Sequence, residues 1–144
     1  MGIFTEFIST FAAKPRSSEP EVIYLSGDGS YKMDIIGEAE HQAALEALCG
    51  PRLPEGINQV ETASLLVTDN KTGPNKDAVR VEIRGSLVGY LNPEDAIHFR
   101  GYLNTKGKPN AHGQCRAVIK GGWVYPDGSQ GPYSVALDIL ALAS

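Results

Sequence analysis

The segment AVRVEIRGSLVGYL, residues 78–91, constrains the fold of this chain more than any other stretch. Apolar and charged residues alternate in VRVEI, so one face of this strand is apolar and the other faces water. The Arg84-Gly85 pair supplies a tight turn, because glycine adopts a positive φ at no steric cost. The segment therefore predicts an antiparallel hairpin, and Gly89 in its second strand indicates a bulge or a close backbone approach.

Further short strands and two helices are predicted on either side of this hairpin. Strands are expected at residues 21–26, 31–38, 58–69, 114–125 and 132–142, and a first helix at residues 40–48. A second helix begins at Asn92-Pro93, because Asn caps a helix and Pro suits its first position. The order is strand, strand, helix, three strands, helix, two strands. It predicts an α+β, mainly β fold: a small, OB-like, partly open β-barrel with two helices.

The first 21 residues are expected to be organised separately from the body of the domain, residues 22–144. Residues 1–13 are predicted to form an amphipathic helix, and residues 14–21, rich in Pro, Ser and mixed charge, a linker. The apolar stripe of the helix consists of Ile3, Phe4, Phe7, Ile8 and Phe11. We expect this stripe to pack on the body or to mediate self-association. Its polar face lacks the Lys and Arg of membrane-surface helices, so no membrane partner is expected.

Composition limits the classes of function. The chain is 42% apolar and 21% charged, which excludes global disorder. Its net charge of -4 excludes a basic field over the whole surface, so any nucleic-acid contact needs a local patch. Cys49 and Cys115 form no disulfide framework and are expected to be buried, reduced thiols. Without an apolar run of about 18 residues, the chain is expected to be cytoplasmic.

The motifs of common catalytic and metal sites are missing. There is no Gly-rich phosphate loop and no G-x-S-x-G sequence. His112 and Cys115 are separated by two residues, but none of His41, His98 and Cys49 supplies a second pair at zinc spacing, so no zinc site is expected. We therefore expect a non-enzymatic protein without cofactor or metal. A hydrolase remains a further hypothesis, because catalytic residues that are distant in sequence can lie close together in the fold.

Four blocks of sequence, in the same order along the chain, resemble the HIRAN domain. They are DIIGEAEHQAALEAL at 34–48, GPNKDAVRVEIRGSLVGYLNPEDA at 73–96, CRAVIKGG at 115–122 and GPYSVALDI at 131–139. The HIRAN domain occurs at the N-terminus of fork-remodelling translocases and as small stand-alone bacterial proteins. The resemblance implies an OB-like β-barrel that binds the free 3′ end of single-stranded DNA, in repair or replication. It also implies a separate helicase or nuclease partner, because the chain has no motor.

The resemblance assigns binding roles to particular residues. Asp77 stands in the family's Asn-Ala-Val motif, and the loop before it matches the family's polar end-binding segment. Tyr90 matches the aromatic or His of the Val-Gly-x-Leu strand, and Tyr133 an aromatic of the last strand. Arg80 and Lys71 add charge along the same hairpin. The candidate nucleic-acid-binding residues are His41, Lys71, Asn75, Lys76, Asp77, Arg80, Tyr90 and Tyr133.

The chain departs from the family pattern at two places. Asn75 follows Pro74 where the family usually has an aromatic residue, so one stacking surface is missing. Glu38 and Glu40 stand where end-binding members have basic and aromatic residues, and carboxylates repel phosphate.

Each candidate also has a purely structural interpretation. Tyr90 and Tyr133 can equally be strand aromatics that pack half-buried against the barrel. Arg80 can instead pair with Glu82 or with its cross-strand neighbours. Trp123, the only tryptophan, is expected in the core. The alternative function is therefore a protein-interaction or scaffold module on the same fold, without nucleic-acid binding.

Overall fold

The computed structural model describes residues 21–67 and 77–140 of the chain. The predicted N-terminal helix and most of the linker, as well as Lys71, Asn75 and Lys76, lie outside these residues. The strands are β1 (Val22–Tyr24), β2 (Met33–Ile36), β3 (Ile57–Val67), β4 (Val79–Ile83), β5 (Ser86–Leu91), β6 (His112–Gly121) and β7 (Tyr133–Asp138). A 3-10 turn (Glu38–His41) leads into helix α1 (Gln42–Cys49), and helix α2 (Pro93–Thr105) follows β5.

Six antiparallel strands close into a barrel in the order β6-β3-β4-β5-β2-β7, and β7 pairs back with β6. One edge of β6 is shared between two neighbours. Its first residues, His112–Gln114, pair in parallel with β1, while Arg116–Gly121 pair with β7. The strand β1 therefore lies outside the closed ring. The predicted class, a small α+β barrel, and the predicted order of strands and helices are confirmed, and the ring closes where a partly open barrel was expected.

The β4–β5 hairpin has the geometry that its sequence predicts. Arg84 and Gly85 both have positive φ, 49° and 80°, as the tight turn requires. The register shifts between Val81 and Glu82, which makes Val88 the extra residue of a β-bulge. A Cβ on the neighbouring Gly89 would lie 2.5 Å from the carbonyl oxygen of Ile36. The glycine thus marks both a bulge and a close approach between β5 and β2.

The barrel interior is filled by the inward residues of the strands together with residues from both helices. Helix α2 begins as predicted: the side chain of Asn92 accepts a hydrogen bond from the Asp95 amide at 2.8 Å. Its buried face contributes Ala96, Phe99 and Leu103 to the core. A Cβ added to Gly113 of β6 would lie 2.9 Å from Cε1 of the Phe99 ring. The aromatic ring of α2 therefore packs directly against β6.

The two cysteines differ in their surroundings. Cys115 is buried, and desolvation raises the pKa of its thiol to about 12, so it remains a protonated, unreactive core group. Cys49 is only half-buried, which corrects the expectation that both thiols are buried. Its pKa is also raised, first by desolvation and then by the charge of Glu61. Within residues 21–67 and 77–140, no helix is long and apolar enough to cross a membrane.

Trp123 follows β6, is half-buried and lines a surface groove. The expectation that it belongs to the core is therefore wrong. Its indole Nε1 is buried, and no described residue accepts its hydrogen bond. The residues after β6 leave the barrel and form a short hairpin of their own, in which Val124 pairs with Gln130. The tryptophan lies at the base of this hairpin and bridges to Leu53 of the α1–β3 loop.

Candidate nucleic-acid interface

A row of four cross-strand neighbours runs over the outer face of β3, β4, β5 and β2. Leu66 lies opposite Arg80, Arg80 opposite Tyr90, and Tyr90 opposite Ile36. Their strand neighbours Leu65, Val81, Leu91 and Ile35 point into the core. Because side chains alternate between the two faces of a strand, the four residues share the face that points away from the core. We call these four residues the Tyr90 row.

The ring of Tyr90 is half-buried and is flanked by the turn after β2. The centroid of the His41 ring lies 6.4 Å from that of Tyr90, with the planes tilted by 58°. Gly37 has a φ of 84° and begins the 3-10 turn that carries His41. A Cβ on Gly37 would lie 3.4 Å from Cδ1 of the Tyr90 ring. The two predicted site residues His41 and Tyr90 are thus brought together by a glycine turn.

Arg80 is held beside Tyr90 by an ion pair on its own strand. Its Nη2 lies 2.9 Å from Oε2 of Glu82, and its side chain is 43% exposed. The Nε atom is buried, and no described residue accepts its hydrogen bond. The predicted alternative, pairing with Glu82, is therefore confirmed. The Glu82 side chain is only 18% exposed, so the pair is partly buried. A phosphate offers the guanidinium the same kind of charge-assisted hydrogen bond as this carboxylate does.

Tyr133 is not part of the exposed face. Its ring is 2% exposed and belongs to the core, and the guanidinium of Arg52 covers it at 4.6 Å from the centroid. The backbone of Tyr133 is bound at both its N–H and C=O by the side-chain amide of Gln42, at 2.8 and 3.0 Å. A buried ring offers no face for a base, so the structure places Tyr133 in the core and apart from the exposed residues of the predicted site.

The two carboxylates after Gly37 have different positions. Oε2 of Glu38 accepts a hydrogen bond from the Val135 amide at 3.2 Å, which ties this side chain to β7. Glu40 is exposed. The negative charge near the Tyr90 row therefore comes from Glu82 and Glu40 at the surface and from Glu38, which is bound to the barrel.

Asp77 is exposed and lies three residues before Arg80, two residues before β4 begins. Arg100 of α2 fixes this point, because its Nε and Nη2 donate to the carbonyl oxygens of Asp77 and Ala78 at 3.0 and 3.1 Å. Leu66, at the end of β3, lies in the Tyr90 row. Lys71, Asn75 and Lys76 belong to the segment between β3 and β4 and lie outside the described residues.

The structure adds two residues to the site that were not predicted from the sequence, Ile36 and Leu66. Ile36 is 45% exposed, although its neighbour Ile35 is in the core. Period-two alternation along MDII, with Met33 and Ile35 inward, places Ile36 on the outer face and was the available signal. An exposed aliphatic side chain next to a tyrosine is a surface on which a nucleobase can lie.

Within the described residues, no group of three or more His, Cys, Asp or Glu side chains is placed to hold a metal ion. No protein-family model matches this chain, and no curated protein or solved structure matches it. The candidate interface therefore rests on its own geometry: an aromatic ring, an exposed cation and an aliphatic side chain in one cross-strand row.

Proposed function

We propose that this chain is a non-catalytic module that binds single-stranded nucleic acid across the outer face of β2, β5 and β4. The observation that carries the proposal is the cross-strand row of Ile36, Tyr90 and Arg80. Binding of single strands on OB-type barrels combines base stacking on aromatic residues with cations that follow the phosphates. The row supplies one ring and one cation at neighbouring positions on a rigid sheet.

In this proposal a base stacks against Tyr90, with His41 bordering one edge of the ring and Ile36 the other. Arg80 binds the adjacent phosphate and releases Glu82 from its ion pair. Lys71, Asn75 and Lys76 extend the contact from the β3–β4 loop. The resemblance to end-binding domains motivates a further element of the proposal, that the terminal 3′ hydroxyl is recognised and that the chain acts with a separate helicase or nuclease in repair or replication.

The first test separates end recognition from general strand binding. Three labelled strands of the same sequence, ending in a 3′ hydroxyl, a 3′ phosphate or closed into a circle, are compared by fluorescence anisotropy. The expected result is tightest binding to the 3′ hydroxyl. Equal binding to all three strands contradicts end recognition. Absence of binding at micromolar protein contradicts the nucleic-acid proposal as a whole and favours the protein-interaction alternative.

The second test examines the Tyr90 row directly. Tyr90→Ala removes a stacking surface worth about 1–3 kcal/mol per base, so affinity is expected to fall by roughly 5- to 150-fold. Tyr90→Phe keeps the ring and is expected to retain most of the affinity. Tyr24→Ala, at a tyrosine that is 74% exposed on β1 outside the row, is the matched control. Equal effects of the two alanine variants would remove Tyr90 from the interface.

The ion pair between Arg80 and Glu82 provides a third test, in which one substitution is expected to strengthen nucleic-acid binding. Glu82→Gln removes the carboxylate that holds Arg80 at 2.9 Å and lowers the local negative charge. Binding is therefore expected to become tighter, with a steeper dependence on salt, because the freed cation contacts a phosphate. Arg80→Gln is expected to weaken binding and to reduce the salt slope. Unchanged binding in both variants means that the strand does not cross β4.

A further inference from the structure

A second surface lies between the α1–β3 loop and the hairpin that follows β6. It is a groove of about 640 Å³, which we call the Trp123 groove. Its lining residues are Pro54, Glu55, Trp123, Val124, Tyr125 and Pro126. None of them belongs to the Tyr90 row, so this surface is distinct from the proposed nucleic-acid interface.

The hairpin that forms one wall of the groove is held in a defined shape. The Tyr125 amide donates to the Ser129 carbonyl at 2.8 Å, and the Gly128 amide donates to the Tyr125 carbonyl at 2.9 Å. The carboxylate of Asp127 accepts from the backbone amide and the hydroxyl of Ser129, at 2.9 and 2.7 Å. The wall is therefore pre-organised, which lowers the conformational cost of binding a partner.

Two aromatic residues line the groove. Trp123 lies flat against the backbone of Gly131, where an added Cβ would be 2.0 Å from a ring carbon. Tyr125 meets Trp123 edge to face, with centroids 6.1 Å apart and planes at 80°. Tyr125 is 49% exposed. Two fixed rings set nearly at right angles, with a proline on either wall, make an apolar slot open to an extended chain.

One acid lines this slot and a second follows it in the hairpin. Glu55 lines it directly, and Asp127 lies at the hairpin tip next to Pro126. Hydrogen bonds from Ser129 lower the pKa of Asp127, so it is ionised at neutral pH. Among the described ion pairs, neither Glu55 nor Asp127 has a cationic partner. A neighbouring cation, Arg52, donates to the Gly131 carbonyl at 2.8 Å and pairs with Glu46 rather than with Glu55 or Asp127. The charge of Glu55 on this apolar groove, with Asp127 close by in the hairpin, is complementary to an apolar chain that carries a positive charge.

We propose that the Trp123 groove binds an extended, proline-containing segment of another protein that carries Lys or Arg. Proline rings stack on the two aromatic side chains, and the polyproline II conformation is already formed before binding, so little entropy is lost. The cation of the segment lies against Glu55 and Asp127. The chain thereby recruits a partner through one surface while the Tyr90 row remains free.

Trp123 is the only tryptophan, so its intrinsic fluorescence reports on this groove without any label. The probe is the peptide APPLPPRPA, titrated into the full chain. A saturable shift of tryptophan emission to shorter wavelength is expected at sub-millimolar peptide. A peptide with Glu in place of Arg is expected to bind at least about fivefold more weakly, because it adds repulsion to the loss of an exposed ion pair. A peptide with all prolines replaced by Ala is expected to bind at least as poorly.

Variants of the groove test the assignment of the surface. Tyr125→Ala is expected to weaken peptide binding by about tenfold, as for a central aromatic contact, and Tyr24→Ala to leave it unchanged. Glu55→Gln is expected to weaken binding by up to about fivefold, with Glu94→Gln as the matched exposed control. If none of the three peptides shifts the emission, or if all three do so equally, the proposal is overturned.

Two other occupants of the groove give distinct results, and each overturns the proposal. If a second copy fills the groove, tryptophan emission changes with protein concentration in the absence of peptide. If the chain's own N-terminal stripe fills it, Phe7→Ser in the full chain shifts the emission of the peptide-free protein. Constant emission in both experiments, together with the peptide shift, supports a partner from outside the chain.

Discussion

The close approach between β5 and β2 can be tested with Gly89→Ala. Chain entropy predicts that this substitution raises the free energy of unfolding, whereas a steric clash predicts that it lowers it. On chain entropy alone, Gly89→Ala in a strand stabilises a protein by about 0.4–1 kcal/mol, because the unfolded chain loses freedom. In this barrel the new Cβ would lie 2.5 Å from the Ile36 carbonyl oxygen and 2.8 Å from Cδ1 of Ile35. The backbone oxygen cannot rotate away, so β5 and β2 must separate.

Such overpacking costs about 1–3 kcal/mol. Because the clash at 2.5 Å is with a backbone oxygen, the upper half of this range applies, about 2–3 kcal/mol. After subtraction of the entropic gain, the free energy of unfolding of Gly89→Ala is expected to fall by roughly 1–2.5 kcal/mol. At roughly 4 °C per kcal/mol for a domain of this size, the Tm is expected to fall by roughly 4–10 °C. The assay is urea unfolding followed by circular dichroism, with an unchanged m-value as the sign that the unfolded state is the same.

A double-mutant cycle identifies the contact responsible. Ile35→Val removes the Cδ1 atom that the new Cβ would meet, so the double variant is expected to be at least about 0.5 kcal/mol more stable than the sum of the single effects. Gly128→Ala is the control. Gly128 has a φ of 91°, and a Cβ added there would have no atom within 4 Å. Gly128→Ala is therefore expected to cost about 1 kcal/mol through backbone strain, and its effect is expected to be additive with that of Ile35→Val. A Gly89→Ala variant as stable as the parent chain, or an additive cycle, would refute the close approach.

Three further predictions concern the hydroxyl of Tyr133, the hydrogen bonds of its backbone, and the ion pair between Glu61 and Arg84. Tyr133→Phe removes a buried hydroxyl that no described residue bonds, so stability in urea is expected to stay equal or rise by about 0–1 kcal/mol, with nucleic-acid binding unchanged because the ring is buried. Gln42→Leu leaves the Tyr133 amide and carbonyl without their partners and is expected to cost about 1–3 kcal/mol by the same assay. The pKa of Glu61 is lowered, chiefly by its hydrogen bond to Arg84 at 2.6 Å, so its contribution to stability is present above its unfolded pKa of about 4.3 and is lost as the pH falls through the folded pKa. Glu61→Gln is therefore expected to reduce the loss of Tm between pH 6 and roughly pH 3, and a variant with an unchanged pH profile would contradict this.

Local features of the fold were predictable from the sequence because they depend on residues close together in the chain. The alternation in VRVEI, the turn at Arg84-Gly85 and the Asn92-Pro93 helix start each need only a few neighbours. The same alternation in β7 puts Tyr133 on one face with Val135 and Leu137, and all three are in the core. That signal was present in the sequence and would have removed Tyr133 from the predicted site.

The position of Tyr90 was decided by the tertiary structure. Ile83 and Ser86 are cross-strand partners at the start of the hairpin, and Ile83 points inward. Regular alternation along β5 from Ser86 would therefore place Tyr90 on the inner face as well. The bulge at Val88 adds one residue, reverses the alternation and turns Tyr90 outward beside Arg80. A bulge depends on the pairing of two strands, which the residues of one strand do not specify alone.

Barrel closure and both candidate surfaces depend on contacts between distant parts of the chain. The β6–β7 ladder closes the ring, and the α1–β3 loop meets the hairpin after β6 to form the Trp123 groove. The sequence by itself determined which segments are strands, helices and turns, because short-range periodicity and backbone preferences decide these. The register between strands, and with it the exposed row and the groove, was decided only in the folded barrel, where long-range pairing selects the face that each side chain occupies.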